Sequence, residues 1–337
     1  MTAKKEEICP FLSVVVPCYN EEDVVDAFYE RTAPILAAID AEFEIVFVND
    51  GSSDRTAERV LALHLRDERV KMVDLSRNFG KEIAMTAGLD FARGNAVVVI
   101  DVDLQDPPEL IPTMVETWHE GVDMVYATRT IREGEGVVKK ATAHLFYRLI
   151  GRMTRISIPE NTGDFRLMSR RVVDALKTLR EQHRFMKGLF SWVGFSQVSI
   201  PYRRAPRFAG KTKWNYWRLW NFALEGITSF SLGPLQVATY FGALVACFAF
   251  AYAAFLIIRT LMLGIDVPGY ASIMVTILFF SGVQLFTIGV IGEYLGRMFN
   301  ETKNRPLYLV QGVVGVDSSG AENVYLAKQG GTGGGRC

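Results

Sequence analysis

Asp101 and Asp103 stand two residues apart at the end of the run Val97-Val98-Val99-Ile100. Four β-branched residues in a row read as a strand buried on both faces, as in the middle of a parallel sheet. In extended backbone the two carboxylates would leave the same face. Close carboxylates repel unless a cation lies between them. A divalent ion holding a diphosphate would serve, and hard oxygen ligands suit Mg²⁺ or Mn²⁺. Open α/β sheets bind ligands at the carboxyl ends of their strands, which is where these acids fall. Solvated acids capping a strand end are the plainer alternative. Pro107 and Pro108 stop the strand, and Pro108 can open the next helix.

The elements that must position these acids alternate. Residues 12–16 read as an apolar strand ended by Pro17, and Tyr19-Asn20-Glu21-Glu22 open a helix to about Ala38. A second strand, 43–48, runs into Asn49-Asp50-Gly51, and Ser53 is a candidate N-cap for a helix through His64. A third strand, 70–75, leads to a helix through Phe91. The acidic strand, a helix over 110–119 and a strand over 124–128 follow, with further helices over 142–155 and 170–180. This spacing predicts a doubly wound parallel sheet.

Lysine plus arginine equals aspartate plus glutamate, 37 each, so no net field points to nucleic acid. Cys9, Cys18, Cys247 and Cys337 lie far apart without metal-ligand spacing and read as reduced thiols. Residues 1–10 are charged and lack the apolar core of a signal peptide. Hydrophobic residues make up 49% of the chain, and the excess lies in the last third. Residues 234–258 and 270–292 carry no charge, and each run is long enough to cross a bilayer core. Arg203, Arg204, Arg207, Lys211, Lys213 and Arg218 precede the first run, while Arg297, Lys303 and Arg305 follow the second. The connector has only Arg259. The positive-inside rule then predicts both termini in the cytoplasm. Trp214, Trp217, Trp220, Leu224 and Ile227 share one helical face, which suits a helix lying in the headgroup layer. The division expected is a catalytic domain over 1–212, an amphipathic region over 213–232, two transmembrane helices over 233–295, and a cytoplasmic segment over 296–337 ending in a flexible Gly-rich tail.

Taken in order, Val-Val-Pro-Cys-Tyr-Asn-Glu-Glu, Val-Asn-Asp-Gly-Ser-Ser-Asp, Ser-Arg-Asn-Phe-Gly-Lys-Glu, Asp-Val-Asp-Leu-Gln-Asp-Pro-Pro, Gly-Asp-Phe-Arg-Leu-Met-Ser-Arg and Phe-Met-Lys-Gly resemble the inverting GT-A glycosyltransferases of family 2. With Leu-Glu-Gly-Ile-Thr-Ser-Phe-Ser and Gly-Glu-Tyr-Leu-Gly-Arg, the chain is most similar to the membrane-bound polyprenyl-phosphate group, and within it to bactoprenol (undecaprenyl-phosphate) glucosyltransferases. The resemblance implies a GT-A nucleotide-sugar domain and transfer of glucose from UDP-glucose to undecaprenyl phosphate at the inner membrane. Another donor (GDP-mannose, UDP-GlcNAc or an amino-arabinose nucleotide) is the nearest alternative, and a catalytically silent scaffold or lipid carrier a more distant one.

By the same resemblance Pro17, Tyr19, Glu21, Asp50 and Asp101 line the nucleotide pocket, and Asp103 and Gln105 hold Mg²⁺ or Mn²⁺. Lys81, at a helix start, would reach a phosphate. Asp164 matches the family's catalytic aspartate, against the alternative of an acid paired with Arg166. Arg129 and Lys139 or Lys140 would grip the acceptor phosphate, and Lys213 in Gly210-Lys211-Thr212-Lys213 would close over the diphosphate. A homotetramer, a flippase and a periplasmic glycosyltransferase are the implied partners.

Overall fold

Near-continuous runs of Val, Ile and Phe place four parallel strands in the middle of one sheet, where both faces are covered. The computed structural model describes residues 11–130, 162–182, 184–202, 233–263 and 269–316. In chain order the elements are β1 (Phe11–Cys18), α1 (Val25–Ala37), β2 (Glu42–Asn49), α2 (Thr56–Arg66), β3 (Val70–Leu75), α3 (Lys81–Phe91) and β4 (Ala96–Val99). A 3₁₀ turn (Pro108–Leu110), α4 (Ile111–His119), β5 (Met124–Arg129), β6 (Thr162–Ser169), α5 (Arg170–Thr178), α6 (Met186–Trp192) and β7 (Gln197–Tyr202) complete the first part. Then come α7 (Gly233–Leu263), α8 (Tyr270–Thr302) and β8 (Val310–Val314).

The sheet order is β7-β5-β6-β4-β1-β2-β3-β8. β4, β1, β2 and β3 run parallel, as the alternation predicts. The sheet as a whole is mixed. β6 lies antiparallel between β4 and β5, and β8 adds antiparallel to β3. The expectation of a purely parallel, doubly wound sheet is therefore corrected. An antiparallel strand can enter because β4 and β5 are not paired with each other, and β6 fills the place between them. Val14, Val15, Ile45, Phe47, Val98 and Phe165 are fully buried in this core. Helix α3 packs unusually close to it. A Cβ at Gly88 would sit 2.2 Å from Val15 Cγ1, so only glycine lets the helix lie there.

Two local expectations also change. Ser53 does not cap α2. Arg55 occupies the cap position without a side-chain cap, and Asp54 before it accepts the Thr56 N–H through Oδ1 at 3.0 Å. Helix α5 ends at Thr178 rather than Arg180.

The described residues fall into two units, the sheet with its helices and β8, and the hairpin of α7 and α8. In the hairpin, Gly242, Val245 and Ala246 share a cleft with Phe280, Gln284, Thr287 and Ile288. By length and composition one helix, over Val275–Thr302 with mean hydropathy 2.0, is able to cross a membrane. In α7 the apolar stretch found is the shorter Val237–Tyr252. The tryptophan-rich face over 214–227 and the helix expected over 142–155 lie outside the described residues.

Candidate active site

β1, β2 and β4 are parallel neighbours, so their carboxyl ends meet at one edge and their three following loops face each other. Hydrogen bonds tie the first two loops together. Ser52 Oγ accepts the Asn20 N–H at 3.0 Å, Asn20 Oδ1 accepts the Ser53 N–H at 2.8 Å, and Thr56 Oγ1 accepts the Glu21 N–H at 2.9 Å. This lacing fixes the path of Tyr19 and Glu21 beside Asp50. Pro17 closes the same strand in register with Val48, and the Tyr19 side chain is exposed.

Asp50 is buried, and both its oxygens accept backbone N–H groups, from Phe79 at 2.7 Å and from Gly80 at 2.9 Å. Burial pushes its carboxyl up, against the pull of those two donors. The carboxylate thus fixes the loop that opens α3, and so sets where Lys81 begins its reach.

Lys81 spans the site. Its Nζ lies 2.6 Å from Asp101 and 2.5 Å from Asp164. The antiparallel register of β4 and β6 explains the meeting. Val99 pairs with Arg166, and two residues further on Asp101 and Asp164 face each other across the sheet end. Burial would depress the Lys81 ammonium, but the two carboxylates outweigh it and hold its pKa well above the usual lysine range. Burial likewise works against the Asp164 anion, yet the Lys81 and Lys187 charges hold that carboxyl well below its ordinary value. Asp164 is therefore a fixed anion. Its second oxygen, Oδ1, is buried without a hydrogen-bond partner among the described residues.

Among the described residues Arg166 makes no side-chain ion pair with Asp164, and its charge is a lesser part of the pull on that carboxyl. It donates to the Gly163 carbonyl at 3.0 Å and to the Asp164 carbonyl at 3.4 Å, and its guanidinium lies 3.6 Å from the Phe190 ring centroid. Sequence reasoning missed Glu82 and Lys187. Lys187 stands in the quoted Phe-Met-Lys-Gly motif, and Glu82 directly follows Lys81, but nothing in the sequence shows that both are half-buried beside Asp164. Burial, then the charge of Asp164, pushes the Glu82 carboxyl up to about 7. Burial pushes the Lys187 ammonium down, and its Nζ donates to the Thr162 carbonyl at 3.1 Å.

Asp101 and Asp103 do not leave one face of a strand. β4 ends at Val99, residues 102–103 form a turn, and Leu104 takes φ +56°. The acids sit on a bend, with Asp101 turned to Lys81 while Asp103 Oδ1 accepts the Gln105 N–H at 3.2 Å. The cation between two acids is thus a lysine, and the acids are Asp101 and Asp164. Asp103 and Gln105 remain together in the turn, both half-buried and both oxygen donors. Among the described residues no three His, Cys, Asp or Glu side chains gather to hold a metal. The donor set fits an ion that draws most of its ligands from substrate phosphates and water, the usual habit of Mg²⁺. Arg129 ends β5 at this sheet edge. Lys139, Lys140, Arg207 and Lys213 lie outside the described residues.

Comparisons with known proteins place the chain in a family. Residues 13–177 match the model of glycosyl transferase family 2, and the chain belongs to that family and is a hexosyltransferase. Residues 233–298 match the GtrB C-terminal hairpin. Its relatives include an uncharacterized glycosyltransferase of Synechocystis (sll0501), 58% identical over 91% of this chain and 96% of that one. The SfII prophage-derived bactoprenol glucosyl transferase of Shigella flexneri is 51% identical over 89% of this chain and 97% of that one. The glucosyl-3-phosphoglycerate synthase of Mycobacterium tuberculosis aligns with 65% of this chain and 78% of its own at 20% identity and TM-score 0.45.

Proposed function

We propose that this chain transfers glucose from UDP-glucose to undecaprenyl phosphate at the cytoplasmic face of the inner membrane, with inversion at the anomeric carbon. One observation carries the reading. In a chain half identical to bactoprenol glucosyl transferases, Asp164 is held as an anion at the strand ends, with one oxygen on Lys81 and the other without a partner among the described residues.

The acceptor is a phosphate monoester, whose second pKa near 6 leaves it mostly ionised at neutral pH. A strong general base is then unnecessary, and an aspartate pinned as an anion would be a poor one. Asp164 instead orients a sugar hydroxyl through Oδ1 and favours positive charge building at the anomeric carbon. Asp103 and Gln105 would hold Mg²⁺ or Mn²⁺ on the donor diphosphate, where such an ion neutralises charge on the leaving group. Pro17, Tyr19, Glu21 and Asp50 line the nucleotide side. Lys81 is near enough to the acids to exchange one carboxylate for a phosphate. Arg129, with Lys139 or Lys140, receives the acceptor phosphate, and Lys213 closes over the diphosphate.

The hairpin would cross the membrane twice. Support comes from connectivity: the chain leaves the sheet after β7 and rejoins the same sheet as β8, so both ends of the hairpin belong to one side. The basic residues flanking the hairpin make that side the cytoplasm. The amphipathic region over 213–232 would then lie at the headgroup level. A tetramer, a flippase and a periplasmic glycosyltransferase complete the expected setting.

A panel of radiolabelled nucleotide sugars with undecaprenyl phosphate, run with and without EDTA, tests the reading. Glucose incorporation that EDTA abolishes is the expected result. Incorporation of mannose instead would overturn the donor, full activity in EDTA would overturn the metal, and no UDP release with any donor would favour a silent scaffold.

A further inference from the structure

Arg129 is tethered by two groups that the reading above leaves without a task. Its Nε donates to the Tyr202 hydroxyl at 3.2 Å. That hydroxyl in turn donates to Asp106, whose side chain is buried. The three residues come from three separate elements, the turn after β4, the end of β5 and the end of β7. Backbone contacts reinforce the join, since the N–H and hydroxyl of Thr130 both donate to the Tyr202 carbonyl at 3.0 Å.

The direction of each bond is fixed by chemistry. Arginine has only donors, so the phenol oxygen must accept from it and spend its single proton on Asp106. Burial and the Asp106 charge raise the phenol's pKa, which keeps that proton in place. On the other side the guanidinium lies against the strand that carries Asp164. A Cβ on Gly163 would stand 3.0 Å from Arg129 Nη2 and 3.8 Å from Asp106 Oδ2. Among the described residues the bond from Nε is the guanidinium's one hydrogen bond, which leaves both Nη groups for an anion. A fork held at its root and open at its tines suits a phosphate oxygen pair.

We propose that Asp106 and Tyr202 are positioning residues that lock the Arg129 guanidinium with its Nη groups presented to the acceptor's phosphate monoester. The inference rests on the reading of Arg129 as an acceptor-phosphate group. It goes beyond that reading by assigning roles to Asp106, which sits directly after the metal-turn glutamine, and to Tyr202, which directly precedes the segment leading to Lys213. Gly163 is assigned a role as well: a side chain there would push the fork away from the strand.

The test uses the full-length enzyme in detergent with UDP-glucose and undecaprenyl phosphate. Arg129→Ala, Tyr202→Phe and the double variant are compared by KM for each substrate. Tyr202→Phe keeps the ring and its packing, so the expected result is an acceptor KM raised about tenfold with the donor KM within about twofold. In the Arg129→Ala background the same change should alter acceptor KM by less than about twofold, because the group it positions is gone. A Tyr202→Phe effect that persists undiminished without Arg129 would overturn the inference. So would an unchanged acceptor KM in Tyr202→Phe when Arg129→Ala raises it, and in that case the arginine's own role survives. An unchanged acceptor KM in Arg129→Ala sinks the arginine's role and the inference together. Should Tyr202→Phe fail to fold, Asp106→Asn takes its place in the same cycle, with the same outcomes.

Discussion

In the sheet unit Val14, Ile45, Val98 and Phe165 are wholly inside, whereas in the hairpin Phe250 is 77% exposed and Leu261 81%. The hairpin has Ala238 and Val245 as its buried apolar residues among those described, and many of its described large apolar side chains are exposed on both helices. A helix designed to pack against a water-soluble core shows one apolar stripe. These two show none. The sheet unit spends its polarity differently, concentrating charge at one edge, where Lys81 and Lys187 compensate Asp101 and Asp164. On the reading proposed above, the two units answer to different solvents, and charge tolerated in one would be ruinous in the other.

The comparison breaks most visibly at Asp164. Asp164→Asn keeps shape and removes charge, and turnover should fall by about 100-fold or more, on the scale of a lost transition-state contact. The protein should stay in the membrane fraction. A near-normal rate would remove both the orienting and the electrostatic role. Next in size is Phe248→Asp, in the middle of α7. A charge at the centre of a spanning helix costs about 2.5–3.5 kcal/mol by insertion scales, so alkaline-washed membranes should retain much less protein. Leu65→Asp, at an exposed position of the sheet unit, should change nothing in that assay. Equal retention of both variants would mean that the hairpin does not face lipid.

Glu82 sharpens the account of buried charge. Its carboxyl keeps its proton up to about pH 7 in the folded domain, against an ordinary value of 4.5. The folded state therefore binds more protons than the unfolded one between those limits, and this group's contribution to stability falls as pH rises from about 4.5 to about 7. Glu82→Gln has no such dependence. Its melting temperature should match the wild type at pH 5 and exceed it at pH 8, whereas a constant difference at both would show that Glu82 is not held neutral. The smallest expected effect is that of Tyr308→Phe. Tyr308 donates to Asp90 at 2.7 Å beside the Arg180 ion pair, joining the segment before β8 to α3. Losing that buried bond should cost about 1.5–3 kcal/mol and lower the melting temperature by several degrees, with kinetic constants unchanged.

The parallel half of the sheet was legible because each strand is an uninterrupted apolar run punctuated by a polar loop. The acids at 101 and 103 and the loops around Asp50 were legible for the same reason. β6 was not, because its place between β4 and β5 depends on a long excursion whose return no local pattern announces. With β6 unseen, the meeting of Asp164 with Lys81 and Asp101 was invisible too, and the cation between two acids could only be guessed to be a metal. β8 escaped notice for another reason. Val310–Val314 is a short stretch interrupted by Gln311 and Gly312, and it becomes a strand only because the edge of β3 is there to receive it.

That last strand orders events during synthesis. β8 is translated after α8, so the edge of β3 stays unpaired until the hairpin has emerged and the chain has doubled back. A nascent chain stalled within the hairpin would expose a row of open backbone donors and acceptors, inviting the wrong neighbour. Completion of the sheet is thereby made to wait for completion of the hairpin.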